Sequence, residues 1–127
     1  MTVGLDHIEQ HLVQGNVATN NHKKLMETFL LTSNIRSLDR NFDELCKLTH
    51  QLKPKIIALQ EIWQPKLSNH IKGYKLLKKE RNSRGGGVAF YVKSEYVCKE
   101  SFQMQKSVEI GTLQIKQKKE CITIINC

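Results

Sequence analysis

Two apolar segments with one amphipathic helix between them constrain the fold of this chain more than any other feature of its sequence. Residues 28–34 are rich in β-branched and apolar side chains, which predicts a strand. Residues 40–52 carry an apolar stripe at helical spacing, and Pro54 ends that pattern. The nearly continuous apolar run over residues 56–61 predicts a second strand with both faces buried. A strand, a helix and a strand so close together predict one compact unit with the helix packed on the strands.

A polar side chain stands at the end of each predicted strand. Asn34 and Glu61 occupy equivalent positions, where each strand leaves the core, so we expect both at one edge of that core. Mg²⁺ prefers oxygen ligands, takes only one or two protein carboxylates, and completes its shell with water and substrate phosphate. Glu61 therefore suits a metal ligand, and Asn34 suits a contact to phosphate or to the carboxylate. The alternative is structural: a partly exposed Glu61, with Asn34 capping the helix that follows.

Three consecutive glycines introduce a further predicted strand at residues 87–93. The glycines lack the GK[ST] ending of a Walker loop and open a strand rather than a helix, so they indicate a tight backbone approach, a bulge or a hairpin. The alternation along that strand predicts two unlike faces. Arg81 and Arg84 flank the glycine turn and are candidates for phosphate contacts. Ordinary solvated loop arginines are the alternative.

The charge of the chain points to a polyanionic partner. Lys and Arg number 20 against 12 Asp and Glu, which gives a formal net charge of +8. Nucleic acid is the first expected partner, and an anionic membrane surface is the second. No apolar run is long enough to span a bilayer. The spacing of the 4 cysteines fits no zinc site and predicts free thiols in a reducing, intracellular compartment.

Residues 1–26 form a polar leader, which we expect to be loosely ordered ahead of the body at residues 27–127. His7 and His11 have the i, i+4 spacing of a metal-binding pair on a helix, but no third ligand stands nearby, so two exposed histidines are the favoured interpretation. Three apolar residues of the leader fall at helical spacing, which indicates a short amphipathic helix: Leu5, Ile8 and Leu12.

Four motifs in a fixed order resemble the endonuclease/exonuclease/phosphatase superfamily. They are SNIRSL, then KPKIIALQEIW after the predicted helix, then GYKLL, and then RNSRGGGVAFYV. The likeness is greatest to the apurinic-type endonuclease domains of non-LTR retrotransposons, and it spans residues 29–127 approximately. One departure is Lys55, where that family often carries an acidic residue outside its active site.

The resemblance implies an α/β fold of the DNase I-like type. That fold is a four-layer α/β sandwich, in which two mixed sheets pack face to face with helices outside, and this chain is expected to form part of it. The alternating segments at residues 107–117 and 119–126 are expected to be two adjacent strands of the sandwich.

The resemblance also implies an activity, the metal-dependent hydrolysis of phosphodiester bonds. Glu61 would bind the catalytic Mg²⁺ (or Mn²⁺), and Asn34 would belong to the same active-site cluster. Arg36 and Gln60 would support that cluster or bind phosphate. The family's histidine–aspartate pair, its aspartate and asparagine, and its tyrosine would lie beyond Cys127, so this chain alone is expected to be inactive. No small-molecule cofactor is expected.

Three functions remain open on the sequence alone. The first is part of a retrotransposon endonuclease, a nuclear protein whose full form nicks DNA to prime reverse transcription. The second is another branch of the superfamily, either a DNA-repair nuclease or a phosphoesterase acting on lipid or nucleotide phosphates. The third is an inactive remnant or a small nucleic-acid-binding module. The basic charge and the arginine-flanked glycine turn favour DNA as the partner.

Overall fold

The chain folds as an α/β protein built mostly of strands, with one helix and two sheets in the part that the structure describes. The structure is a computed structural model and describes residues 9–18, 24–81, 85–105, 107–117 and 120–127. Its elements in chain order are β1 (Glu9–Ala18), β2 (Lys24–Asn34), α1 (Leu38–Leu52), β3 (Ile56–Gln60), β4 (Tyr74–Lys79), β5 (Val88–Lys93), β6 (Val97–Gln105), β7 (Val108–Gln117) and β8 (Glu120–Asn126).

The larger sheet contains five strands in the order β1-β2-β3-β5-β4. Within it β2 and β3 are parallel, because α1 returns the chain to the same end of the sheet, and the other pairs are antiparallel. The smaller sheet contains β6, β7 and β8 in antiparallel order. The strands predicted at 28–34, 56–61 and 87–93 are therefore neighbours in one sheet, and those predicted at 107–117 and 119–126 pair with each other. Both predictions are confirmed.

α1 covers one face of the larger sheet. The Ser37 side chain accepts a hydrogen bond from the Arg40 amide at 3.2 Å and caps the helix, and Lys53 ends it in the left-handed conformation. The helix predicted over residues 40–52 is confirmed and begins slightly earlier, at Leu38. No helix among the described residues is long and apolar enough to cross a membrane. Fully buried side chains of the helix and the sheet form the first core: Leu31, Leu38, Leu45, Leu48, Ile57 and Leu59.

The smaller sheet covers the opposite face of the larger one. The two faces of β5 therefore differ in what covers them and not in exposure, because α1 shields Ala89 and Tyr91 while the smaller sheet shields Phe90 and Val92. The described residues thus form three layers, a helix, the larger sheet and the smaller sheet. The second core lies between the sheets and contains Ile56, Ala58, Phe90, Val92, Leu113, Ile115 and Ile124.

β1 places part of the polar leader in the larger sheet, since it pairs antiparallel with β2. Leu12 lies in this strand, so the amphipathic helix predicted from its spacing is wrong at that residue; the other two residues of that pattern lie outside the described residues. His11 also lies in β1, and His7 lies outside the described residues. Pairing with a long neighbouring strand outweighs a helical pattern too short to be stable by itself.

The four cysteines are free thiols, as their spacing predicted. Cys46 and Cys98 are half-buried, and Cys121 and Cys127 are exposed. Burial raises the pKa of the Cys46 thiol, and the nearby Asp43 carboxylate raises it further. Cys46 is therefore protonated near neutral pH and is a poor nucleophile.

Candidate active site

The parallel strands β2 and β3 deliver Asn34 and Glu61 to the same edge of the larger sheet. Asn34 is paired with Gln60 in the strand register, and Glu61 is the next residue along the chain. The amide of Ile35 donates to the carbonyl of Gln60 at 3.0 Å, and the amide of Ser37 donates to the carbonyl of Glu61 at 2.9 Å. The structure therefore brings together the two residues that the sequence singled out.

The Glu61 carboxylate is held in place from two sides. Its Oε2 atom accepts a hydrogen bond from the indole Nε1 of Trp63 at 3.2 Å and another from the amide of Gly86 at 3.1 Å. Within the described part of the chain, Oε1 makes no hydrogen bond. The carboxylate is half-buried, with one oxygen held by two donors and the other free of hydrogen bonds from the described residues.

Asn34 carries a buried polar atom without a partner. Its Oδ1 atom is inaccessible to solvent and accepts no hydrogen bond from the described residues. It does not cap α1, because Ser37 does so, and the structural alternative for this residue is therefore wrong. An unpaired buried acceptor costs about 1–3 kcal/mol, and such atoms commonly mark the place of an ion, a water or a ligand.

Strained backbone is concentrated in the loops that meet at this edge. Residues other than glycine adopt a positive φ at a cost of roughly 1–3 kcal/mol each, and they persist only where the surrounding structure enforces them. Such residues cluster at active sites and ligand clamps. Four of them follow β2 and β3: Arg36 (φ 48°), Ser37 (φ 87°), Glu61 (φ 57°) and Trp63 (φ 62°).

The glycine turn before β5 supplies amides to two carboxylates. Gly86 donates to Glu61, and Gly87 donates to Glu109, a residue of β7. A Cβ atom at Gly87 would lie 2.7 Å from the Cγ1 atom of Ile62, so only glycine fits there. The tight backbone approach expected of these glycines is confirmed, and its reason is the docking of the turn onto the chain that follows β3.

No sequence pattern points to Glu109 as a site residue, because it lies in a strand with ordinary alternation and belongs to no motif. Its side chain is only 12% exposed, and its Oε1 atom forms an ion pair with the Nε atom of Arg81 at 3.2 Å. Glu109 therefore fixes the glycine turn and Arg81 together from the smaller sheet.

The three candidate arginines differ in their surroundings. Arg81 uses its Nε atom in the ion pair with Glu109, which gives it a structural role beside any role in binding phosphate. Arg84 lies outside the described residues. Arg36 is exposed in the turn after β2, two residues beyond Asn34, and has a φ of 48°.

The side chain of Asn126, a residue of β8, connects the smaller sheet to β3 and β5 next to the candidate site. Its Nδ2 atom donates to the carbonyls of Leu59 and Ala89, both at 3.0 Å, and the residue is 2% exposed. Its Oδ1 atom accepts from the Nε2 atom of Gln60, which also donates to the Oγ1 atom of Thr32 at 3.1 Å. Gln60 therefore supports the edge by binding its neighbours, one of the two roles expected of it.

A pocket of about 500 Å³ opens beside the carboxylate. Its lining includes three apolar residues, Ile62, Trp63 and Pro65. The Arg40 guanidinium carbon lies 5.9 Å from the centre of the Trp63 ring. Trp63 therefore lines the pocket and also donates a hydrogen bond to the Glu61 carboxylate.

The donor atoms at this edge fit a hard divalent cation. Glu61 offers a carboxylate oxygen that makes no hydrogen bond within the described residues, and Mg²⁺ or Mn²⁺ binds such oxygens while keeping waters and substrate phosphate in its shell. Among the described residues, no group of three or more His, Cys, Asp and Glu side chains is arranged to hold a metal. A site at this edge would therefore rest on a single carboxylate.

Comparison with known proteins found no family model that matches this chain. A search of curated proteins found no significant relative either.

Proposed function

We propose that this chain belongs to a metal-dependent phosphodiesterase that cleaves DNA, of the endonuclease/exonuclease/phosphatase type and most like a retrotransposon endonuclease. The observation that carries the proposal is the placement of Glu61 and Asn34 at the same edge of the larger sheet. Glu61, whose carboxylate is oriented by two donors, and Asn34, whose buried amide oxygen has no partner among the described residues, lie at the carboxyl ends of two parallel strands, at the same edge of the larger sheet. The motifs around these residues are those that resemble the superfamily.

The two packed sheets support the proposed fold. Both sheets contribute to one core between them, and α1 lies outside the larger sheet. These layers are consistent with part of a DNase I-like sandwich. Three of the motifs, SNIRSL, KPKIIALQEIW and RNSRGGGVAFYV, include residues at the edge that carries Glu61, where the superfamily would have its metal ligand, and GYKLL lies farther away, at the start of β4.

Each residue at the edge has a proposed task. Glu61 holds Mg²⁺ (or Mn²⁺), and Gly86 and Trp63 keep its carboxylate in a fixed orientation. The metal, when bound, polarises a phosphoryl oxygen and stabilises charge on the leaving oxygen. Asn34 binds a phosphate oxygen through its amide or completes the metal's surroundings, and Arg36 attracts the phosphate from the exposed turn.

We propose DNA as the substrate because the chain carries a large excess of positive charge. With a formal net charge of +8, the chain attracts phosphate backbones, and its binding to them should weaken steeply as salt is raised. Charge alone also fits a module that binds nucleic acid without cleaving it. Dependence of DNA binding on metal separates these two functions, because a metal held by Glu61 would complete its shell with a DNA phosphate.

The test is a titration of a short DNA duplex with the purified chain, in EDTA and in Mg²⁺, followed by fluorescence anisotropy. The wild type should bind the duplex weakly in EDTA and more tightly in Mg²⁺. Glu61→Gln should keep the affinity in EDTA and lose the increase in Mg²⁺, since glutamine still accepts the bonds of Gly86 and Trp63 but carries no charge.

The matched control is Glu100→Gln, an exposed carboxylate of β6 in the smaller sheet. It removes the same charge and should keep the increase in Mg²⁺. If Glu61→Gln and wild type respond alike to Mg²⁺, the metal is not held by Glu61 and the proposal fails. Binding without any effect of Mg²⁺ would favour the non-enzymatic module.

A further inference from the structure

We propose that the pocket beside Trp63 binds a nucleobase, stacked on the indole ring, next to the phosphate that the candidate active site would hold. This inference rests on the proposed function for the identity of the ligand, a nucleic acid. The pocket, the ring and its contacts are properties of this chain alone. The site lies beyond the metal and phosphate contacts proposed for Glu61 and Asn34.

The indole ring is held in a fixed orientation and is still accessible. Its Nε1 atom is bound to the Glu61 carboxylate at 3.2 Å, and the backbone of Trp63 has a φ of 62°, a conformation that costs free energy and directs the side chain away from the path of a regular strand. Trp63 is half-buried and lines the pocket. A large aromatic ring that is both rigid and accessible is what base stacking requires.

The polar groups around the pocket are largely engaged with the protein itself. The Asp39 carboxylate accepts from the amides of Lys66 and Leu67 at 2.7 and 3.3 Å. The Gln64 side chain donates to the carbonyl of Arg81 at 2.8 Å. Few groups therefore remain for reading the edge of a particular base, so the pocket should accept any base through its ring face.

The charged residue that lines the pocket is Asp39, whose carboxylate is already bound by two amides, and the groups that could attract phosphate are arginines next to the lining residues. Arg40 lies against the Trp63 ring and is exposed, and Arg36 is exposed in the turn that enters the same helix. An arginine beside a stacking aromatic is the combination found in single-strand binding grooves. Unpaired or single-stranded DNA is therefore the expected partner, because a base within a duplex is already stacked.

The hydrogen bond between Trp63 and Glu61 connects the two sites. A base stacked on the ring would place its own phosphate within reach of the edge that carries Glu61. The ring that would carry the base is the one whose Nε1 atom donates to the carboxylate. Trp63 is therefore proposed to bind substrate directly and to position Glu61.

Trp63 is the sole tryptophan of the chain, so its fluorescence reports this pocket alone. The experiment titrates wild-type protein in EDTA with a single-stranded oligothymidylate and with an abasic oligonucleotide of the same length and charge. The oligothymidylate should quench the fluorescence and bind more tightly, and the abasic strand should leave the fluorescence nearly unchanged. Equal quenching and equal affinity for both strands would overturn the proposal, because phosphate contacts alone would then account for binding.

Two variants separate stacking from folding. With a fluorescein-labelled oligothymidylate, Trp63→Phe should bind within a few-fold of wild type, and Trp63→Leu should bind about tenfold more weakly or worse. Affinity for the abasic strand should be the same in all three proteins. Equal affinity of the Phe and Leu variants for oligothymidylate would overturn stacking even if both fold.

The experiment does not depend on the proposed metal site. It uses EDTA and no cleavage, so quenching by bases would persist if Glu61 bound no metal. The failure of the nuclease proposal and the failure of this inference are therefore distinguishable.

Discussion

The amide of Gly86 donates a hydrogen bond to the Oε2 atom of Glu61 across 3.1 Å, and this bond joins the turn before β5 to the segment that follows β3, at the edge where the candidate site lies. The neighbouring amide, that of Gly87, is held by Glu109 from the smaller sheet. The glycine turn is thereby clamped between two carboxylates. Glu61 in turn gains a fixed orientation without using its other oxygen.

Gly86→Ala should therefore damage the site and the fold together. A Cβ atom there would lie 2.7 Å from the Oε1 atom of Glu109 and from the Cδ atom of Arg81, and the residue has a φ of 67°. We expect a loss of about 1–3 kcal/mol in the free energy of unfolding, measured in urea, together with weaker metal binding.

Gly73→Ala is the matched control for this substitution. Gly73 has a φ of 86°, but a Cβ atom there would meet nothing within 4 Å. This variant should lose only about 1–2 kcal/mol from its backbone conformation and should bind metal like wild type. Equal effects of the two variants on metal binding would contradict a role for the glycine turn in orienting Glu61.

Asn126→Ala tests the support that the smaller sheet gives to the edge. The change leaves the buried carbonyls of Leu59 and Ala89 without their donor, so we expect a loss of about 1–3 kcal/mol in the free energy of unfolding. Thr123→Ala, at an exposed position of the same strand, should change it by less than about 0.5 kcal/mol. If both variants unfold at the wild-type denaturant concentration, the bridge between the sheets contributes nothing to stability.

Arg36→Ala and Arg81→Ala should affect DNA binding differently. Arg36 is exposed beside Asn34, so its removal should lower the slope of log affinity against log salt by about 1. Arg81 is already paired with Glu109, so its removal should change that slope less. Lys99→Ala, on an exposed position of β6, serves as the control. An unchanged slope for Arg36→Ala would remove this residue from the phosphate contacts.

Stability should decline in alkaline solution because two phenols, the half-buried Tyr74 and the buried Tyr91, resist deprotonation in the folded state. Burial raises the pKa of Tyr74 from 10.0 to about 12. It also raises the pKa of Tyr91, whose hydroxyl donates to the carbonyl of Asn69 at 2.8 Å. The folded state thus keeps protons that the unfolded chain releases, so this stability is complete below pH 10.0 and is lost as the pH rises through about 12.

The measurement is the free energy of unfolding in urea, from neutral pH to above pH 10.0. Tyr74→Phe should show a shallower decline than wild type, whatever its stability at neutral pH. Tyr96→Phe, in the turn between β5 and β6, is the control for the substitution. A decline of the same steepness in Tyr74→Phe and wild type would show that the Tyr74 phenol is not protected in the folded protein.

The local part of this fold could be predicted from the sequence, because periodicity and proline mark it directly. Local sequence patterns predicted β2, α1 and β3, the elements that position Asn34 and Glu61. They also predicted that β7 and β8 are adjacent strands. The contacts that complete the site could not be predicted. Asn126 and Glu109 reach it from strands far along the chain, and neither stands in a motif.

Other differences arise from pairing and packing that no local pattern encodes. β1 joins the larger sheet by pairing with β2, although its apolar spacing suggested a helix. The role of Arg81 depends on a carboxylate from the other sheet. The choice of Ser37 rather than Asn34 as the cap of α1 depends on the folded backbone. The lack of a partner for the Oδ1 atom of Asn34 among the described residues likewise depends on packing.

The most direct test of the account is the binding of Mn²⁺ to the purified chain, measured by isothermal titration calorimetry beside Glu61→Gln. Glutamine keeps the shape of the side chain and its bonds to Gly86 and Trp63, so both proteins should unfold at closely similar urea concentrations. We expect one Mn²⁺ site in the wild type and at least about tenfold weaker binding in the variant, a loss of roughly 1.4 kcal/mol. Equal affinity in the two proteins, or no Mn²⁺ binding by the wild type, would contradict Glu61 as the metal ligand.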